Sequence, residues 1–177
     1  NIKSPNLLIC NSKSFNKSGI IESSRMPLGI KSIYNEEENN KFLQDLGGYL
    51  TYVGGIIVKK NLWIENYNKN KIGSFFAHID CLASIKNNRK IHYFCLPVIN
   101  MRLGSQTWVK NSFFIWYIYY PEIIWKLENY SDCAKNNLIP RNPLNSLKIM
   151  LAARAYSRIN FHIFKKHIFR SENVYLI

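Results

Sequence analysis

Acid is scarce in this sequence: eleven Asp and Glu among 177 residues stand against 24 Lys and Arg, a formal charge of +13. From Cys81 to Pro121, and again from Cys133 to Arg170, no acidic side chain occurs. Acid-free runs of that length favour a polyanion partner, and the charge as a whole points to nucleic acid, anionic lipid or acidic proteins. Paired cysteines are lacking too. Cys10, Cys81, Cys95 and Cys133 are far apart, with no CxxC pair and no histidine at zinc-finger spacing. That argues against a structural zinc site and makes the thiols small buried hydrophobes of a reducing compartment. No stretch reaches the roughly 18 apolar residues that cross a bilayer. The nearest, Phe113 to Trp125, is interrupted by Pro121 and Glu122.

Catalytic signatures are missing in the same way. There is no HExxH, no GxxxxGK[ST] and no GxGxxG, and His78, His92, His162 and His167 are isolated, which suits packed or phosphate-facing residues. Alanine is scarce at six, while 22 Asn, 24 Ile and 17 Lys have the look of an A+T-rich coding sequence. Organellar genomes are the usual source, the mitochondrion first and the plastid as the alternative. The Asn residues are scattered among Tyr, Trp, Phe and Ile instead of forming tracts, and 47% of the chain is hydrophobic, so a globular core is expected. The length suits one domain with an extension.

Residues 1–40 have little periodicity and read as an irregular N-terminal extension, residues 41–165 as the domain, and 166–177 as a tail. Leu43, Leu46, Leu50 and Val53 recur at helical spacing before Gly54-Gly55 ends the run. Ile56-Ile57-Val58 and Leu62-Trp63-Ile64 then fit a long strand or a hairpin. Three further strands are expected, Ile72 to Ile79, Lys90 to Leu96 and Ser112 to Tyr119, all aromatic and β-branched. Pro121 opens a short helix from Glu122 to Tyr130, and Ser131 to Asn137 reads as a polar loop. A last helix starts at Asn142-Pro143, with Leu151, Ala155, Ile159 and Ile163 on one face and Arg154, Arg158 and Lys165 on a neighbouring one. The fold class is α+β.

Leu46-Gly47-Gly48-Tyr49-Leu50-Thr51-Tyr52-Val53-Gly54-Gly55, followed by Ile56-Ile57-Val58-Lys59-Lys60, resembles the signature of the LAGLIDADG homing endonucleases and maturases. Downstream, Phe113 to Tyr120, Pro121 to Leu127, Leu138 to Leu144 and Leu151-Ala152-Ala153-Arg154-Ala155-Tyr156 are similar to the later elements of one subgroup. The resemblance spans about residues 41–160. It implies a motif helix packed closely through Gly48, an antiparallel sheet forming a saddle on nucleic acid, and additional helices. It also implies what has gone. Where the family carries its metal-binding carboxylate this chain has Val53, and Thr51 at the other acidic position offers a neutral hydroxyl, so neither binds Mg²⁺. No metal, no cofactor and no catalytic residue are expected.

What remains is a basic surface interleaved with Tyr93, Phe94, Trp108 and Trp116, as phosphate neutralisation and base stacking require. The nucleic-acid-binding candidates are Lys59, Lys60, Lys86, Arg89, Lys90, Arg102, Lys110, Arg154, Arg158 and Lys165. The expected role is a structural subunit of a mitochondrial ribosome, bound to ribosomal or other structured RNA and to neighbouring proteins of the particle. Two other roles compete. An active homing endonuclease or intron maturase would need an acid such as Asp45 or Asp80 in place of Val53. A peripheral subunit of an organellar membrane complex would use Phe113 to Trp125 against lipid or a membrane partner.

Overall fold

The strand at the centre of the sheet lies inside the segment expected to be an irregular extension. The computed structural model describes residues 5–15, 18–19, 21–24, 30–67, 75–85, 90–102, 111–155 and 159–168. Strand β1 (Leu7–Phe15) buries Leu7 and Ile9 and pairs in parallel with β5 (Ile91–Arg102) along its length. Its other edge is shared by two short antiparallel strands, β4 (Ile56–Val58) against Leu7–Ile9 and β2 (Ile21–Ser24) against Lys13–Phe15. Strand β3 (Ile33–Tyr34) runs antiparallel to the start of β5. The fold is α+β, with a mixed sheet in place of the all-antiparallel one expected.

The reason β1 was hidden is chemical. Asn11, Ser12 and Ser14 read as surface residues, yet all three are buried. The Asn11 amide donates to the Cys95 carbonyl at 2.7 Å and its side-chain oxygen accepts from the Ser12 N–H at 2.8 Å, which compensates the burial. That bond also holds a bulge in β5, where the register jumps from Cys10↔Phe94 to Ser12↔Ile99.

Helix α1 (Asn39–Leu46) buries Phe42, Leu43 and Leu46 as its spacing requires. From Gly47 to Thr51 it tightens into a 3₁₀ turn that buries Leu50, and a second such turn spans Val53–Gly55. Three residues per turn instead of 3.6 rotates Val53 off the buried face, leaving it 61% exposed. Close packing falls on Gly47 and not on Gly48. A Cβ on Gly47 would lie 2.6 Å from a Leu138 methyl, whereas one on Gly48 would meet that side chain at an ordinary 3.9 Å.

Helix α2 (Lys60–Asn66) stands where the expected hairpin would have had its second strand, and α3 (Ala77–Ser84) takes the end of the expected strand Ile72 to Ile79, whose residues 72–74 lie outside the described ones. The expected strand Ser112 to Tyr119 is helical as well. Helix α4 (Ser112–Phe114), a π-helical turn (Ile115–Tyr119) and α5 (Tyr120–Trp125) run without a break, and Pro121 sits inside this run instead of opening a new one. Proline lacks an N–H and its ring crowds the carbonyl four residues back, and the wider turn just ahead of it accommodates both defects.

Residues 112–125 are apolar on more than one side because they serve two cores. Ile115, Tyr120 and Ile124 join the main core with Leu7, Ile9, Leu43, Leu46 and Leu82, while Phe113 and Ile118 pack with Met150, Ala153 and Ile159. A helix apolar all round loses the 3.6-residue stripe that would reveal it. The stretch offered for lipid contact is thus largely internal.

Helix α6 (Asp132–Leu138) replaces the expected polar loop; the Ser131 hydroxyl accepts from the Ala134 N–H, capping it. Helix α7 (Pro143–Ala155) starts where Asn142-Pro143 signalled. Among its described side chains Met150 and Ala153 are buried, however, and Leu151 and Ala155 are exposed; the helix ends at Ala155, and α8 (Phe161–Ile168) begins afresh under an Asn160 side-chain cap. Of the four thiols, Cys10 and Cys81 are buried as expected while Cys95 and Cys133 are exposed. Burial pushes the Cys10 thiol up and that of Cys81 up to about 11, so both stay protonated and inert.

Candidate nucleic-acid interface

Alternation along a strand divides the sheet into two faces. Leu7, Ile9, Ile91, Tyr93 and Tyr34 point into the main core beneath the helices. Their neighbours point the other way, and the register aligns them across the strands. Leu8 pairs with Ile57 on one side and with His92 on the other, and His92 pairs with Ile33, giving one row across four strands. Ile57 is 61% exposed and Ile33 40%. One step along the sheet in one direction, Cys10 pairs with Phe94, whose ring is 42% exposed.

One step in the other direction lies a basic row. The Asn6 N–H donates to the Lys90 carbonyl at 2.8 Å and the Lys59 N–H donates to the Asn6 carbonyl at 3.0 Å. The Lys59 ammonium reaches the Asn6 side-chain oxygen at 3.4 Å, which places both side chains on this same face. Lys60, exposed, follows as the first residue of α2.

Four of the described lysines have a carboxylate partner, while Lys13, Lys148 and Lys165, away from this row, have none. Lys31 is bonded to Glu38, Lys41 to Asp45 at 2.9 Å, Lys126 to Glu122 at 2.6 Å and Lys135 to Asp132 at 3.5 Å. Among the described residues Lys59, Lys60 and Lys90 have no carboxylate partner. Lys59 and Lys60 also stand at the start of a helix, where the aligned peptide dipoles disfavour cations. Neither pairing nor helix stability accounts for them. The acids gather elsewhere, Glu65, Asp80 and Glu128 lining a 580 Å³ pocket with residues of α2, α3 and the turn after α5. Burial, then the neighbouring Lys90 charge, holds the His92 imidazole below its usual range, so it is neutral at pH 7.

Of the ten residues proposed from sequence, Lys59 and Lys90 come together here, and Lys60 follows Lys59 at the start of α2. Lys86, Arg89, Lys110 and Arg158 lie outside the described residues. Arg102 ends β5 opposite Phe15, roughly 30 Å away along β1 and beyond the reach of unscreened interaction with Lys90 at physiological salt. Arg154 and Lys165 are exposed on α7 and α8, which belong to the second core. Among the aromatics, Tyr93 is buried, Trp116 packs on the main core and Trp108 lies outside the described residues, which leaves Phe94 to the open face. Ile57, His92 and Ile33 were not foreseen there. The alternation of Ile91 and Tyr93 with His92 and Phe94 was the available signal.

The residues at and near the motif positions where acids would be needed are equally plain. Val53 is an exposed isopropyl group and the Thr51 hydroxyl donates to the Gly48 carbonyl at 2.8 Å. Asp45 accepts from the Tyr34 hydroxyl at 2.8 Å and from Lys41. Among the described residues no three His, Cys, Asp or Glu side chains converge as metal ligands, and no helix is long and apolar enough to cross a membrane. Compared with family models, with curated proteins and with solved structures, the chain matches none.

Proposed function

We propose that this chain is a non-catalytic RNA-binding protein that lays the outer face of its sheet on a structured RNA. The observation that carries the reading is the pair Lys59 and Lys90 in one row, with Lys60 next in sequence, all unpaired with carboxylates among the described residues, and an exposed aromatic ring two rows further along the same face. Ammonium groups kept free of carboxylates bind phosphate by releasing its counterions, and the neighbouring apolar row has no use in a fully solvated surface. The host is a ribonucleoprotein particle of an organelle, as the Asn-, Ile- and Lys-rich composition suggests, with a mitochondrial ribosome first and a plastid one as the alternative. Exposed Leu96 and Val98 on the β5 bulge suit a protein neighbour in the same particle. Descent from a LAGLIDADG-type nuclease fits this role, since Val53 and Thr51 at the acidic positions would leave binding without cleavage.

Sedimentation of native organellar extracts tests the reading. The protein is expected to travel with ribosomal RNA at low salt and to be released by ribonuclease. Flotation with membranes after a salt wash, or Mg²⁺-dependent cleavage of duplex DNA by the purified chain, would replace it with one of the competing roles.

A further inference from the structure

Resting on the RNA-binding reading, we infer that this face takes unpaired bases, so that its ligand is single-stranded RNA and not a duplex. The face is only partly basic. Lys59 and Lys90 occupy one row; the next has Ile57 and Ile33 exposed at its ends with Leu8 and His92 half-buried between them, and Phe94 is exposed in the one after. A phosphate backbone laid over Ile57 and Ile33 would lose hydration with no hydrogen bond in return. The flat faces of bases cover such a surface without that penalty.

Spacing supports the same ligand. His92 and Phe94 project from β5 on one face, and Lys90, directly before the strand and bonded through its carbonyl to Asn6, continues the alternation, each about 6.6 Å from the last. A strand of RNA running along β5 therefore meets a cation at one end and, about 13 Å further on, an aromatic platform. A duplex hides its base faces in the stack and displays phosphates and groove edges, for which the Phe94 ring has no use. Charge complementarity names the polymer, and the row order names its state.

The test is equilibrium binding of the full chain, at one salt concentration, to an unstructured oligouridine and to a duplex RNA of equal length. Phe94→Ala and Phe94→Trp are compared with the wild type, and their thermal midpoints are checked. The single strand is expected to bind more tightly. Phe94→Ala should weaken it about tenfold or more, with the duplex unaffected and Phe94→Trp restoring affinity. Equal binding of both RNAs with Phe94→Ala neutral would overturn this inference and leave the RNA-binding reading standing. Binding of neither RNA, together with retention on phosphatidylserine vesicles, would overturn both.

Discussion

At Gly55 the chain leaves its 3₁₀ turn and passes directly over β1. A Cβ there would lie 3.0 Å from the Cys10 carbonyl oxygen, which the sheet holds in place. At Gly54 the obstacle is the ring end of Tyr52, which can swing aside. Gly55→Ala should therefore destabilise by about 1–3 kcal/mol, as overpacking does, and Gly54→Ala by less; paired thermal melts decide. His78 supplies a pH dependence. Burial lowers its pKa from the ordinary 6.5, against the pull of a 2.8 Å hydrogen bond to the Leu50 carbonyl. The folded state thus holds this proton more weakly than the unfolded one. Stability is complete above about pH 6.5 and falls as pH drops through the lowered value. His78→Gln should flatten that acid limb, and a profile as steep as the wild type's would remove His78 as its cause.

Helix α6 shows what one capping residue does for an element. Ser131→Ala strips the hydroxyl from the Ala134 N–H and should cost about 1 kcal/mol, read from chemical denaturation. The same Ser131-Asp132 pair was the cue that could have separated this helix from a loop. Other elements were legible. The strand expected over Lys90 to Leu96 is there as Ile91–Arg102, Pro143 starts a helix, and Leu43, Leu46 and Leu50 are core, because each rests on a local rule of periodicity or capping. The failures came where distant parts of the chain decide. Asn11 becomes a core residue only through Cys95, 84 positions away, and residues 112–125 become helix between two cores that no local window contains. The candidate site divides in the same way. Its lysines were visible as an acid-poor composition, whereas their union with Ile57, His92 and Phe94 needed the register of four strands.

For the whole molecule the arrangement of charge matters more than its sum. Among the described residues four lysines are neutralised by nearby carboxylates, three acids line one pocket, and the outer sheet face keeps its lysines free of both. Stability and binding should then move in opposite directions. Lys60→Glu exchanges a cation for an anion at the start of α2, so it should raise the thermal midpoint slightly while weakening RNA binding. A variant that lost both would make Lys60 a structural residue.

The most direct test of RNA binding through this face is the slope of log K against log salt for an unstructured RNA, measured for the wild type and for the triple variant Lys59→Gln, Lys60→Gln, Lys90→Gln. If the three ammonium groups each neutralise a phosphate, the slope should become shallower by about two, near 0.7 for each phosphate of a single strand that is no longer neutralised. Parallel lines for the two proteins would contradict the account and move the interface off the sheet.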